Sequence, residues 1–193
     1  PGADVEVAVP PIYLGGVQRK ACELAGAVAD GFVSHPTNSN PRYLRETCLP
    51  ALAAGARKAG RDLDHAGFET VIGTPVITGA SLDAVLAERE RQRRLLAFLY
   101  STPAYAPTLE LHGWTGLGPR LRDLIRHDRW DDLGSVLSDE VLDTLVPCGT
   151  FDELPGILLE RFAGLGQGIV VSPPAGGADD GAFRAVIEEL QAA

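Results

Sequence analysis

The chain has 193 residues, 45% of them hydrophobic, and a formal net charge of -9 at pH 7. That length and apolar content supply one sizeable core and exclude a fibre, a disordered tail or a disulfide scaffold. The acidic balance argues against general affinity for nucleic acid or an anionic membrane surface.

Three cysteines, Cys22, Cys48 and Cys148, are odd in number and widely spaced. They read as buried thiols in a reducing compartment, not as a disulfide framework or a metal site. No apolar run approaches the ~18 residues of a membrane span, and no basic region leads into an apolar one, so the expected location is cytoplasmic. Methionine is absent and the sequence opens at Pro1, which is consistent with a start methionine trimmed before proline and at least equally with a segment of a longer protein.

Val5, Val7 and Val9 alternate between prolines as an edge strand or an extended lead-in. A short buried strand over 12–14 then runs through Gly15-Gly16 into a helix whose Ala21, Leu24, Ala25 and Val28 recur at three- and four-residue spacing. Two glycines let the backbone approach a ligand, and the free N–H groups of a helix start point at any anion placed there. Arg19 and Lys20 add two cations to the same turn. On these residues alone, an ordinary connection without a ligand stands equally open.

Residues 32–35 read as the next strand and 36–40 as a turn-rich loop. Asn40 and Pro41 form a helix start, with an N-cap side chain and a first-turn proline. That helix should reach about residue 59, with a kink or break at Pro50. Residues 68–78 read as a strand bent at Gly73 and Pro75, and Ser81 caps a long helix over 82–99. Arg89, Arg91, Arg93 and Arg94 alternate with Glu88 and Glu90, which favours a solvated, ion-paired face over an anion site.

From 100 to 118 periodicity vanishes in an aromatic-bearing excursion, and loops of this length are often functional. Short helices follow over 120–127, 130–137 and 138–145. Thr150 and Glu153 form a capping box for a helix to about Phe162. Residues 168–172 make a compact strand, 173–177 a loop and 180–190 the last helix.

Four strand–helix units, starting near Ile12, Phe32, Val71 and Ile169, imply an α/β fold with a parallel sheet covered by helices. Periodicity leaves two architectures open: a doubly wound sheet, or half of an eight-stranded barrel. No Gly-x-Ser-x-Gly, His-Glu-x-x-His or P-loop motif occurs, so hydrolase, metalloprotease and triphosphatase chemistries lack support.

Pro11-Ile12-Tyr13-Leu14-Gly15-Gly16, followed by Glu23-Leu24-Ala25-Gly26 and Ala29-Asp30-Gly31-Phe32, resembles the luciferase-like monooxygenase superfamily of flavin and deazaflavin barrels. His35-Pro36, Pro41-Arg42-Tyr43-Leu44-Arg45-Glu46, Ser101-Thr102-Pro103-Ala104-Tyr105, Leu109-Glu110-Leu111-His112-Gly113-Trp114 and Ser138-Asp139-Glu140 with Gly149-Thr150 narrow the likeness. They resemble the actinobacterial branch of coenzyme F-420-dependent oxidoreductases, over about residues 10–173.

The resemblance implies a TIM barrel of which this chain carries strands five to eight. It implies one domain over 1–193 with an irregular helical excursion at about 100–145. The implied activity is an oxidoreductase or monooxygenase in which coenzyme F-420, or alternatively FMN, exchanges a hydride with a small organic substrate.

The cofactor phosphate would rest on Gly15, Gly16, Val17 and Gln18, with Ser34, His35 and Thr37 beside it. His112 and Trp114 would close a substrate pocket or pack the excursion. His65 and His127 read as solvent-facing. Where many relatives carry Gly-Pro followed by Lys or Arg, this turn carries Gln18-Arg19-Lys20.

Catalytic residues remain unassigned, since they would lie in an N-terminal half that the chain lacks. The alternative reading is a non-catalytic half barrel. Its two open strand edges would drive it to pair with itself, as a homo-oligomer, or with another half.

Overall fold

Strand β1 (Tyr13–Gly16) leads through Val17 and Gln18 into helix α1 (Arg19–Val28), and the chain returns as β2 (Gly31–Ser34). The structure is a computed structural model that describes residues 9–64, 67–174 and 180–192. The lead-in residues Val5 and Val7, His65 and most of the 173–177 loop lie outside the described residues.

A single long helix follows, built in three parts: α2 (Pro41–Tyr43), a π-helical segment (Leu44–Cys48) and α3 (Leu49–Lys58). Asn40 caps it, its Oδ1 accepting the Arg42 N–H at 2.9 Å. The expected break at Pro50 does not occur. A proline ring in a regular helix clashes with the carbonyl four residues earlier, and the wider π turn just before Pro50 takes up that clash, with the Leu49 N–H reaching back to the Leu44 carbonyl.

The buried Asn40 also donates from Nδ2 to the Thr144 carbonyl at 2.8 Å. Removing it strips the cap and one of the two side-chain donors to that carbonyl, the other being Arg161 Nη2, so Asn40→Ala should destabilise the fold by about 1–2 kcal/mol. A urea unfolding midpoint equal to wild type would contradict this.

Strand β3 (Glu69–Thr74) stops at Pro75, and β4 (Ile77–Gly79) belongs to a different sheet. The strand expected over 68–78 is therefore two strands, separated where Pro75 cannot donate to a ladder. Ser81 caps α4 (Leu82–Tyr100), its Oγ accepting the Ala84 N–H.

The stretch expected as loop over 100–118 folds into a 3-10 helix (Pro103–Tyr105) and α5 (Ala106–Leu111), followed by α6 (Leu117–Arg126). A 3-10 helix (Trp130–Val136) and α7 (Asp139–Leu145) complete the excursion. Tyr100, Leu109, Leu121 and Leu142 form its own buried cluster.

Three of the four arginines of α4, Arg89, Arg91 and Arg93, are ion-paired as expected, but Arg89 and Arg93 are not on a solvated face. Arg89 bridges to Asp139 and Asp143, and Arg93 to Glu90 and Asp139, so both tie α4 to α7.

β5 (Cys148–Thr150) pairs with β4, and its three residues carry no periodic pattern by which the sequence could announce it. The Thr150–Glu153 box is half present. Glu153 Oε2 accepts the Thr150 N–H at 2.8 Å, but α8 (Leu154–Phe162) starts after it. β6 (Gly168–Val171) and α9 (Asp180–Ala192) end the described chain. No helix among the described residues is long and apolar enough to cross a membrane.

The main sheet is parallel throughout, in the order β1-β2-β3-β6. Alternate residues in register face opposite ways. Phe32 and Ile72 turn to the helices and are buried with Cys22, Ala25 and Leu52. The other face carries Tyr13, Gly31 and Glu69 in one layer, Gly15, Val33, Val71 and Gly168 in the next, and Gly73 beside Val170 in the last. Val170 is 56% exposed there. In a closed barrel this face would be the filled interior.

α1 corrects the expected stripe. Its buried residues are Cys22, Ala25 and Gly26, while Leu24 and Val28 stand exposed. The cause is direct helix contact: a Cβ on Gly26 would lie 2.0 Å from the Leu52 carbonyl oxygen, and one on Gly55 1.8 Å from that of Glu23. Glycine-on-backbone packing fixes which side of α1 meets α3. Leu24 and Val28 fall on the opposite flank, and the β1 edge presents Ile12, also exposed.

Candidate functional site

The C-terminal ends of β1 and β2 bring the Gly15–Gln18 turn beside Ser34, His35 and Thr37. In parallel α/β folds, ligand sites form at this end of the strands. Gly15 is exposed on the concave face, and a Cβ built there would meet only the Val33 carbonyl oxygen, at 3.8 Å. Gly16 is tighter, with Ala21 Cβ at 3.0 Å. No side chain caps α1 and no acidic residue stands in its first turn. Its leading N–H groups and partial positive charge are thus open to an anion.

Arg19 is ion-paired with Glu23 at 3.1 Å, and Gln18 Nε2 donates to the Ala104 carbonyl at 3.3 Å. Outside the turn, a groove of about 590 Å³ runs past Lys20, Tyr43, Thr47 and Pro107.

The β2 side is more enclosed. Ser34 is buried, and its Oγ accepts the Gly73 N–H at 3.1 Å, so its hydroxyl serves the sheet. Thr37 is fully buried. Its carbonyl accepts the Tyr100 hydroxyl at 3.1 Å and the Thr108 hydroxyl at 2.7 Å, which docks the excursion onto this loop.

His35 Nδ1 accepts the Thr37 N–H at 3.3 Å and lies 2.8 Å from Thr37 Oγ1, and its ring stacks on Tyr105 with centroids 4.9 Å apart. An Nδ1 that accepts leaves the proton of the neutral ring on Nε2.

Asn38, absent from the residues the sequence nominates, joins the two sides. Its Nδ2 donates to the Gly16 carbonyl at 2.8 Å and the Val17 carbonyl at 3.2 Å, while its Oδ1 accepts the His35 N–H at 2.7 Å. The Tyr43 hydroxyl also reaches the Val17 carbonyl, at 3.2 Å. The structure shows a capping-box arrangement from His35 to Asn38, but His-x-x-Asn is not its usual sequence signature, so no local signal announced Asn38.

His112 and Trp114 come together as expected, stacked with centroids 4.8 Å apart. His112 Nε2 lies 3.3 Å from Asn40 Oδ1, and Trp114 packs on the core of the excursion. The pair meets Asn40, not the glycine turn. His127 is exposed, with Nδ1 2.9 Å from the Asp123 carbonyl.

Cys22 and Cys48 are buried, whereas Cys148 is half-buried near Arg89. The hydrogen bond with Cys22, together with burial, pushes the Cys48 thiol up, so it stays protonated. No group of three His, Cys, Asp or Glu among the described residues is placed to hold a metal.

Burial lowers the pKa of His35 and of His112 below the ordinary 6.5. Each ring takes up a proton less readily in the fold than in the unfolded chain, which titrates near 6.5, so stability is full above that pH and falls as pH drops through it. The unfolding midpoint should therefore decline between pH 7 and 5. This window lies above that of the ion-paired Glu23 and Asp139, whose carboxyl pKa values are lowered from 4.5 and 3.8. A flat profile down to pH 5 would contradict it.

Among the described residues, the sheet face opposite the helices carries the Tyr13 hydroxyl donating to Glu69. This pair sits at the N-terminal ends of the strands, away from the glycine turn. The site can thus hold and orient an anionic ligand. Its histidines are engaged with neighbouring groups, and no nucleophile–base pair among the described residues is aimed at it.

Comparison with known proteins agrees with this fold. An uncharacterised protein of Mycobacterium tuberculosis is 37% identical over 157 residues, covering 81% of this chain and 45% of its own. The 5,10-methylenetetrahydromethanopterin reductase of Methanolobus tindarius is 28% identical over 192 residues, covering 93% and 53%.

The structure of the coenzyme F-420-dependent tetrahydromethanopterin reductase from Methanopyrus kandleri superposes with a TM-score of 0.71 at 23% identity. The match covers 94% of this chain and 50% of that one, and it establishes the fold as TIM-barrel-like. The chain spans about half the length of the relatives it matches. The luciferase-like monooxygenase family model matches residues 1–166, and the chain belongs to that family.

Proposed function

We propose that this chain forms the phosphate-binding half of a barrel oxidoreductase that uses coenzyme F-420 to exchange a hydride with a small organic substrate. The observation that carries the reading is the pairing of an uncapped α1 start with the open space over Gly15. A phosphate fits there: backbone donors converge, Arg19 and Lys20 are close by, and no carboxylate stands in the first turn.

When bound, the deazaflavin supplies the hydride chemistry. Gly15, Gly16, Val17 and Gln18 then anchor the phosphate end. The loop carrying His35 and Thr37 walls one side, and the excursion docked on Thr37 excludes water. His112 and Trp114 line the approach for substrate. FMN would suit the same phosphate cradle, and F-420 is preferred because two of the three named relatives are methanopterin reductases, one of them described as F-420-dependent.

Four further strand–helix units, in the same protein or a partner, would cover the exposed β1 and β6 edges and oppose the reacting ring. The exposure of Ile12, Leu24, Val28, Leu159 and Val170 along those flanks also favours a second reading, self-association into a closed barrel without catalysis.

The test is a reduction assay on the intact protein. With F-420 and a panel of small organic hydride donors, loss of deazaflavin absorbance is the expected result. Tight FMN binding with no F-420 binding would overturn the cofactor assignment. Sedimentation as a closed dimer without any chromophore would favour the second reading.

A further inference from the structure

We infer that Asn38 is a positioning residue for cofactor binding, holding the Gly16 and Val17 carbonyls behind the turn so that the donors following them face the ligand. The inference rests on the proposed phosphate site and deepens it. A trans peptide points its C=O and N–H in opposite directions. With the Val17 carbonyl held by Asn38 Nδ2 at 3.2 Å and the Tyr43 hydroxyl at 3.2 Å, the N–H of Gln18 is directed the other way.

The orienting group is itself fixed. Asn38 is fully buried, its Oδ1 accepts the His35 N–H at 2.7 Å, and Cys48 Sγ lies 3.6 Å from Nδ2. That set leaves one amide orientation, because a flipped carboxamide would set its oxygen against two carbonyls and its NH2 against a donor. One side chain therefore ties the ends of β1 and β2 together and sets the direction of the donors between them. Packing alone would be met by any residue of this volume. Donor direction would not.

Asn38→Asp separates the two roles, since it keeps the shape and replaces the donor with an acceptor facing two carbonyls. At pH 8 the carboxylate should weaken F-420 binding on the order of 30-fold, read by fluorescence titration of the intact protein. Burial against carbonyl oxygens raises the pKa of the new carboxyl, so its protonated form again donates at low pH. Affinity should then recover as pH falls toward 5.5, relative to wild type measured at each pH. A folded variant that binds like wild type across this range would overturn the inference.

Should the variant not fold at pH 8, the wild-type carboxamide decides. Its Nδ2 protons should exchange slowly in NMR and shift as inorganic phosphate is titrated; fast exchange or unmoved resonances would overturn the positioning role. Wild-type protein that binds neither F-420 nor phosphate would instead defeat the functional reading, and the inference with it.

Discussion

Gly55→Ala is expected to destabilise the fold by about 3 kcal/mol, the upper end of what overpacking costs. The added Cβ would stand 1.8 Å from the carbonyl oxygen of Glu23, and its nearest three neighbours are all backbone atoms of that residue. No rotamer change relieves the contact, so α1 and α3 must separate. Separation opens the cluster of Cys22, Ala25, Cys48 and Leu52 between them, and a close-packed interior recovers such a loss only in part.

Gly26→Ala should act the same way from the other helix. Gly156→Ala is the control. It lies in α8, where an added methyl would meet nothing within 4 Å, and should stabilise by about 0.5–1 kcal/mol through helix propensity. Urea unfolding midpoints read all three, and a Gly55→Ala protein as stable as wild type would contradict the close helix contact.

Gly15→Leu should leave the fold intact and weaken F-420 binding on the order of 100-fold, about 2.7 kcal/mol. Gly15 has no left-handed backbone angle, and its Cβ direction opens onto the concave face with only the Val33 carbonyl oxygen at 3.8 Å. A leucine is accommodated in the strand and occupies the space through which a phosphate would approach the turn. Gly16→Ala tells the two glycines apart. Its Cβ would meet Ala21 Cβ at 3.0 Å and Phe32 Cε2 at 3.3 Å, so it disturbs the packing beneath the turn and should lower stability together with binding. Equal affinity of Gly15→Leu and wild type would place the ligand elsewhere.

The strand–helix units were legible because hydrophobic period and glycine punctuation change together at each turn, as at Gly15-Gly16 and Asp30-Gly31. What stayed hidden depends on contacts between distant residues. The buried side of α1 is decided by Gly26 and Gly55 meeting backbone across a helix pair, so an apolar stripe through Leu24 and Val28 pointed the wrong way. β4 and β5 are three residues each, too short for any period to show. α5 is six residues between Pro103 and Gly113, and its place is fixed by Thr108 bonding to Thr37.

The candidate site divides along the same line. The glycine turn announces itself locally, through residues that permit close approach. Asn38 acts on carbonyls 22 and 21 positions earlier, a relation visible only once β1 and β2 lie side by side. His112 and Trp114 form the aromatic pair that the sequence suggested, yet their nearest polar partner is the helix cap Asn40.

The most direct test of the phosphate-cradle account is an equilibrium titration of the intact protein with F-420, repeated against inorganic phosphate as competitor. The account predicts saturable F-420 binding that phosphate displaces and that Gly15→Leu weakens on the order of 100-fold. F-420 binding indifferent to both phosphate and Gly15→Leu would contradict it.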